Sequence, residues 1–69
     1  MEIKEIKLKN RRVGVAILER DNEPRIYVEF KILEGRKIRK TELILTIEAA
    51  TALTCLLIDK LNEFNNYGE

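Results

Sequence analysis

The chain has 69 residues, 36% charged and 45% hydrophobic, with a formal net charge of +1. A single domain of this size buries only about 60% of its unfolded surface, so it leans on a partner, a metal or a cross-link for stability. One cysteine and no histidine exclude an internal disulfide and remove the commonest metal ligand and general base.

The charge is unevenly placed. Residues 1–40 carry twelve Lys/Arg against seven Asp/Glu, and residues 41–69 carry one against five. Such a split predicts one basic surface for an anionic partner and one acidic surface elsewhere.

The first forty-odd residues read at period two. A short, highly charged strand is predicted over about 3–9, where Lys4, Ile6 and Leu8 alternate with Ile3, Glu5, Lys7 and Lys9. Val13, Val15 and Ile17 mark a second strand, about 12–19. Asp21 to Pro24 reads as a turn, because Pro fixes φ and Asp and Asn hydrogen-bond to nearby backbone. The third strand, about 25–33, places Ile26, Val28, Phe30 and Ile32 on a buried face and Arg25, Tyr27, Glu29 and Lys31 on a wet one.

Glu34-Gly35 marks the next reversal, after which two readings stand. Residues 36–40 either continue into a strand or belong to a basic loop over 34–40, with the strand proper at 41–46. The loop is favoured, since Ile38 has the opposite parity to Leu43 and Leu45 and a continuous strand would need a bulge.

At Thr46 the period changes to that of a helix, predicted over about 47–64. Thr46 suits the N-cap and Glu48 the positive first turn. Leu53, Leu57, Leu61 and Phe64 form a stripe widened by Ala49, Ala52, Leu56 and Ile58, and Asn65, Asn66 and Gly68 end the helix. An apolar surface this wide exceeds what one sheet face covers. The expected fold is therefore α+β, ββββα: one domain over 1–69, a curved antiparallel sheet with one C-terminal helix across it. Two copies would pair through Leu53, Leu56, Leu57, Leu61 and Phe64.

Catalysis finds little support. The chain has no serine, and no histidine to activate Cys55, which falls in an apolar helix where cysteine acts as a small hydrophobe. Glu19, Asp21 and Glu23 flank a turn without calcium-loop spacing, and Gly14 and Gly35 form no phosphate-binding glycine pattern. No enzyme activity, metal or cofactor is expected. With no apolar run long enough for a membrane span and no signal-peptide pattern, the expected location is intracellular, in cytoplasm or nucleoid.

The basic residues point to nucleic acid. Lys9, Arg11 and Arg12 enter the second strand, and Arg36, Lys37, Arg39 and Lys40 follow the third. Arg25, Tyr27 and Lys31 lie between the two clusters in sequence. Guanidinium and ammonium groups would hold phosphates, and Tyr27 is the candidate for stacking on a base.

The same segments resemble the single-stranded-DNA-binding domain of the transcriptional coactivator positive cofactor four and its archaeal and bacterial relatives. The resemblance runs over residues 6–64. It rests on Lys9-Asn10-Arg11-Arg12-Val13-Gly14-Val15, on Val28-Glu29-Phe30-Lys31 for an I-D-I-R strand, on Gly35-Arg36-Lys37, and on Leu45-Thr46-Ile47-Glu48-Ala49-Ala50 for L-x-L-E-Q-W. Pur-alpha and Whirly domains share the plan. The chain departs from the family at Ala50, where the helix-opening Trp would stand, and at Glu23-Pro24-Arg25 in place of a Lys-Gly-Lys turn. Leu18 and Leu33 occupy the places of stacking aromatics.

The resemblance implies a homodimer with basic channels for single-stranded DNA, acting in transcription or genome maintenance and meeting proteins of the transcription machinery. The alternative reading is a protein-interaction module or accessory subunit that uses the same sheet surface.

Overall fold

The computed structural model describes residues 2–67. Four strands precede one helix: β1 (Lys4–Lys7), β2 (Arg11–Arg20), β3 (Glu23–Glu34), β4 (Lys37–Thr46) and α1 (Ile47–Tyr67). The strands pair antiparallel in chain order, β1-β2-β3-β4. This is the expected α+β, ββββα arrangement, and most boundaries fall within three residues of the sequence reading. Gly68, one of the predicted stops, lies outside the described residues.

The turns explain two differences. Asp21 and Asn22 both have positive φ, 54° and 62°. That is the type I′ pattern, which matches the twist of the flanking strands and which short polar side chains tolerate. Two residues therefore suffice for the turn, and Pro24 belongs to β3, opposite Glu19. Residues flanking such a turn bond to each other, so the ring nitrogen of Pro24 faces away from β2. It points where β4 has already given way to α1, and no ladder bond is lost.

The second difference is the basic segment. Gly35, at φ 60°, and Arg36 make a two-residue turn, and β4 begins at Lys37. The loop expected over 34–40 is thus mostly strand. Its register with β3 is unbroken from Glu34–Lys37 to Arg25–Thr46, without the expected bulge. A glycine in the left-handed region lets the ladder close at once, and Ile38 simply takes the opposite face, beside Leu33.

Directly opposed residues share a face, so the register sorts the whole sheet. One face carries Val13, Val15, Ile17, Ile26, Val28, Phe30, Ile32, Leu43 and Leu45; the other carries Tyr27 with Arg12, Glu29, Lys31, Lys40 and Glu42. The division matches the sequence pattern, but the burial does not. Gly14, Ala16, Tyr27 and Glu29, the buried residues, all lie on the charged face. On the apolar face Val15, Phe30 and Leu43 are exposed, and Ile17 is 71% exposed.

The reason is the position of α1. Thr46 Oγ1 accepts the Ala49 N–H at 3.0 Å, the expected N-cap, and Glu48 lies in the first turn. Among the described residues the helix then touches β3 and β4 only, not β1 or β2, so it does not cross the sheet as expected. Leu53, Leu56, Leu57, Leu61 and Phe64 are all exposed, Phe64 to 73%.

The chain consequently lacks a second layer. Its extents are 47 × 35 × 15 Å and its radius of gyration is 14.6 Å, whereas a compact domain of this length has about 11 Å. Its accessible surface is 6329 Å², against about 4,500 Å² for a folded monomer of 8.1 kDa. The excess, on the order of 1,800 Å² per chain, compares with about 800 Å² per partner in a standard interface.

Candidate nucleic-acid interface

The register brings the predicted cations into rows. Lys7, Arg12, Lys31 and Lys40 stand opposite one another across all four strands on the charged face. At roughly 4.8 Å per strand the row is about 14 Å long. The next row on that face, about 7 Å away, is Glu5, Gly14, Glu29 and Glu42.

The two rows neutralise each other. Lys31 Nζ lies 3.4 Å from Glu29 Oε1, while Lys40 Nζ lies 3.6 Å from Glu29 Oε2 and 3.5 Å from Glu42 Oε1. Arg12 reaches Glu5 at 3.9 Å. Gly14 leaves room for this arrangement: a Cβ there would meet Glu29 Cγ at 3.2 Å and Ile3 Cγ2 at 3.0 Å. Glycine at this position therefore serves a close approach.

A third row contains Ala16, Tyr27 and Ile44. The Tyr27 hydroxyl lies 2.7 Å from Glu42 Oε2 and 2.8 Å from Glu29 Oε2, and its single proton serves both carboxylates. Those hydrogen bonds, to Glu42 first, together with burial and the two negative charges, push the phenol well above its ordinary pKa. Tyr27 is 6% exposed. The stacking role expected of it is corrected accordingly, since its ring lies between neighbours and its hydroxyl is engaged.

The Tyr27 hydrogen bond, with help from Lys31 and Lys40 and against burial, holds Glu29 below its ordinary value of 4.5. A carboxylate with a depressed pKa in the folded state stabilises above its unfolded pKa and loses that contribution as pH falls through the folded one. Glu29→Gln is expected to lower the urea midpoint at pH 7, with the gap to wild type closing as pH drops below about 4.5. A gap that stays constant down to pH 3 would mean the charge of Glu29 is not what the network uses.

The remaining cations lie outside these rows. Asn10 accepts the Leu33 N–H through its carbonyl at 2.9 Å, tying the β1–β2 turn to the sheet end that carries Gly35 and Arg36. Lys9, Arg11, Arg36 and Lys37 gather at that end, exposed and without an ion pair among the described residues. Arg11 and Arg39 flank Ile32 in a row on the apolar face, and Arg39 pairs with Glu34 at 3.4 Å. Arg25 is separated from all of these. It sits at the other end of the sheet, bound to Glu23 at 3.0 Å and to the Pro24 carbonyl at 3.1 Å.

Nine of the ten predicted binding residues thus divide into four free cations at the basic end, four engaged cations beside them, and Arg25 far away; Tyr27 is the tenth. The sequence reading missed Lys7 as a member of the row, and Glu29 and Glu42 as its counter-charges. A signal was present, because Glu5-x-Lys7, Glu29-x-Lys31 and Lys40-x-Glu42 repeat opposite charges two residues apart, on one face of a strand. Among the described residues no group of acidic, cysteine or histidine side chains is placed to hold a metal ion. No described helix is long and apolar enough to cross a membrane.

No family model, curated protein or solved structure matches this chain.

Proposed function

We propose that the protein binds single-stranded nucleic acid, DNA in the first instance, without catalysis, as a homodimer acting in transcription or genome maintenance. The observation that carries this reading is the convergence of Lys9, Arg11, Arg36 and Lys37 on one end of the sheet, free of internal counter-charges among the described residues. The row of Lys7, Arg12, Lys31 and Lys40, the last three paired with carboxylates, begins directly behind them.

The mechanism is counterion release. Each phosphate held by a lysine or arginine frees condensed cations, and the gain does not depend on base identity. Because Tyr27 is buried and Leu18 and Leu33 replace aromatics, stacking adds little, and the preference for sequence is expected to be weak. The homodimer is supported by the uncovered apolar stripe of α1 and by the excess surface of the single chain.

The test is a fluorescence-anisotropy titration with single-stranded and duplex oligonucleotides over a range of salt. Preference for the single strand is expected, with log K falling against log[salt] at about −3 to −5, since each phosphate contributes about −0.7. Equal affinity for both forms would remove the single-strand specificity, and no binding at low salt would remove nucleic acid altogether. A second reading is favoured by the exposed apolar face: a protein-interaction module or accessory subunit whose sheet is covered by a different protein. It predicts that the purified chain stays monomeric.

A further inference from the structure

β4 is an edge strand ten residues long, and among the described residues no strand lies on its outer side. The hairpin register fixes which of its backbone groups are free. Glu34 and Lys37 flank a two-residue turn and bond to each other, so residues 37, 39, 41, 43 and 45 bond to β3. The N–H and C=O groups of Ile38, Lys40, Glu42 and Ile44 therefore point outward in an unpaired row. Such an edge is a template for another strand unless its side chains forbid pairing.

The side chains along this edge forbid most partners and suit one. Lys37, Arg39 and Lys40 make the first half basic, whereas Glu42, Leu43, Ile44 and Leu45 make the second half acidic and apolar. A parallel copy would set like on like. An antiparallel copy reverses the gradient, and only registers that oppose the even-numbered residues satisfy the free backbone groups. With Thr41 opposite Thr41, Lys40 of each copy faces Glu42 of the other, and Ile38 faces Ile44. Sliding by one allowed step in either direction sets Lys40 against Lys40 or Glu42 against Glu42, which is destabilising.

We propose that two copies of this chain join edge to edge along β4, antiparallel, about a two-fold axis through Thr41, into one eight-stranded sheet. The interface is isologous, as closed dimers require. In it the cationic row of Lys7, Arg12, Lys31 and Lys40 runs on into the acidic row of the other copy, and vice versa. Ile38 and Ile44, 63% and 46% exposed in the single chain, cover each other in two symmetric pairs. On the apolar face, the stems of Lys37 and Arg39 lie over Leu45 and Leu43 of the second copy. This surface is distinct from the stripe on α1 and does not depend on nucleic acid.

Cysteine cross-linking tests the register. Thr41 opposite Thr41 is a pair without hydrogen bonds between its members, with Cα atoms about 4.5 Å apart, within disulfide reach. In a Cys55→Ala background, Thr41→Cys is expected to form a covalent dimer under mild oxidation. Arg39→Cys and Leu43→Cys share its strand and face, but each lies about 13 Å from its own counterpart, too far for a disulfide. The expected result is cross-linking of Thr41→Cys at least about tenfold faster than of either flanking variant. Equal rates at the three positions, or none at Thr41→Cys, would overturn the proposal. Because the readout contains no oligonucleotide, that failure would leave the nucleic-acid reading untouched.

Discussion

Replacing Lys9, Arg11, Arg36 and Lys37 together by alanine is expected to lower single-strand affinity roughly 600-fold at 0.1 M salt and to flatten the salt slope by about 2.8. Both figures follow from one contact per side chain. About 0.7 of a counterion is released per phosphate, which at a tenfold dilution below molar salt is a factor of about five each. The variant should remain folded, because all four side chains are exposed and none takes part in an ion pair among the described residues. Alanine at Arg20, which is exposed on the β2 end of the Asp21-Asn22 turn at the far end of the sheet, is the matched control and should leave affinity and slope unchanged. Circular dichroism establishes the fold and the titration reads the effect. A folded quadruple variant with an unaltered slope would remove the basic end from the site.

The second large effect concerns α1. In an isolated chain Leu53 and Leu57 are exposed to 39% and 54%, and glutamate there would change stability by no more than about 0.5 kcal/mol. In a dimer built on the helix stripe the same double substitution strips four leucines from the interface. Only the exposed part of each side chain, about half, is left to bury there, so at about 1.5–3 kcal/mol per whole leucine the loss is about 3–6 kcal/mol, or at least about a 100-fold rise in the dissociation constant. Leu53→Glu/Leu57→Glu is therefore expected to lose association through α1, to sediment as no more than the pair joined along β4, and to melt at a lower Tm than the wild type. The wild type should show a Tm that climbs with protein concentration. A double variant that melts like the wild type, at a concentration-independent Tm, would rule out the α1 interface.

The sequence carried the order of elements, the change of period at Thr46 and the division of each strand into two faces, because these depend on local spacing alone. Where Ile26, Val28 and Phe30 are read as core, the spacing is right and the inference about burial is not. Alternation says which residues share a face, but nothing about what covers it, and α1 covers little of either. The start of β4 was hidden for a similar reason. Arg36 to Lys40 looks like a loop by composition, yet a left-handed glycine at position 35 is enough to close the ladder and carry the charges as strand. At the candidate site the cations were legible as clusters, whereas their neutralisation by Glu29 and Glu42 was not. That pairing arises from the alignment of β3 with β4, which only the register discloses.

A meander whose β2–β3 and β3–β4 hairpins close through two residues each also sets a clock. Every strand finds its neighbour next in the chain, so the hairpins close within microseconds and no distant segment has to be awaited. In the proposed homodimer the second molecule arrives far later: at micromolar concentration and ordinary association rates the wait is about 0.1–10 s. For that interval each newly made sheet shows its aliphatic side to whatever passes. Gene dosage, and the crowding of nascent chains on one message, would then govern how much of the protein survives its own synthesis.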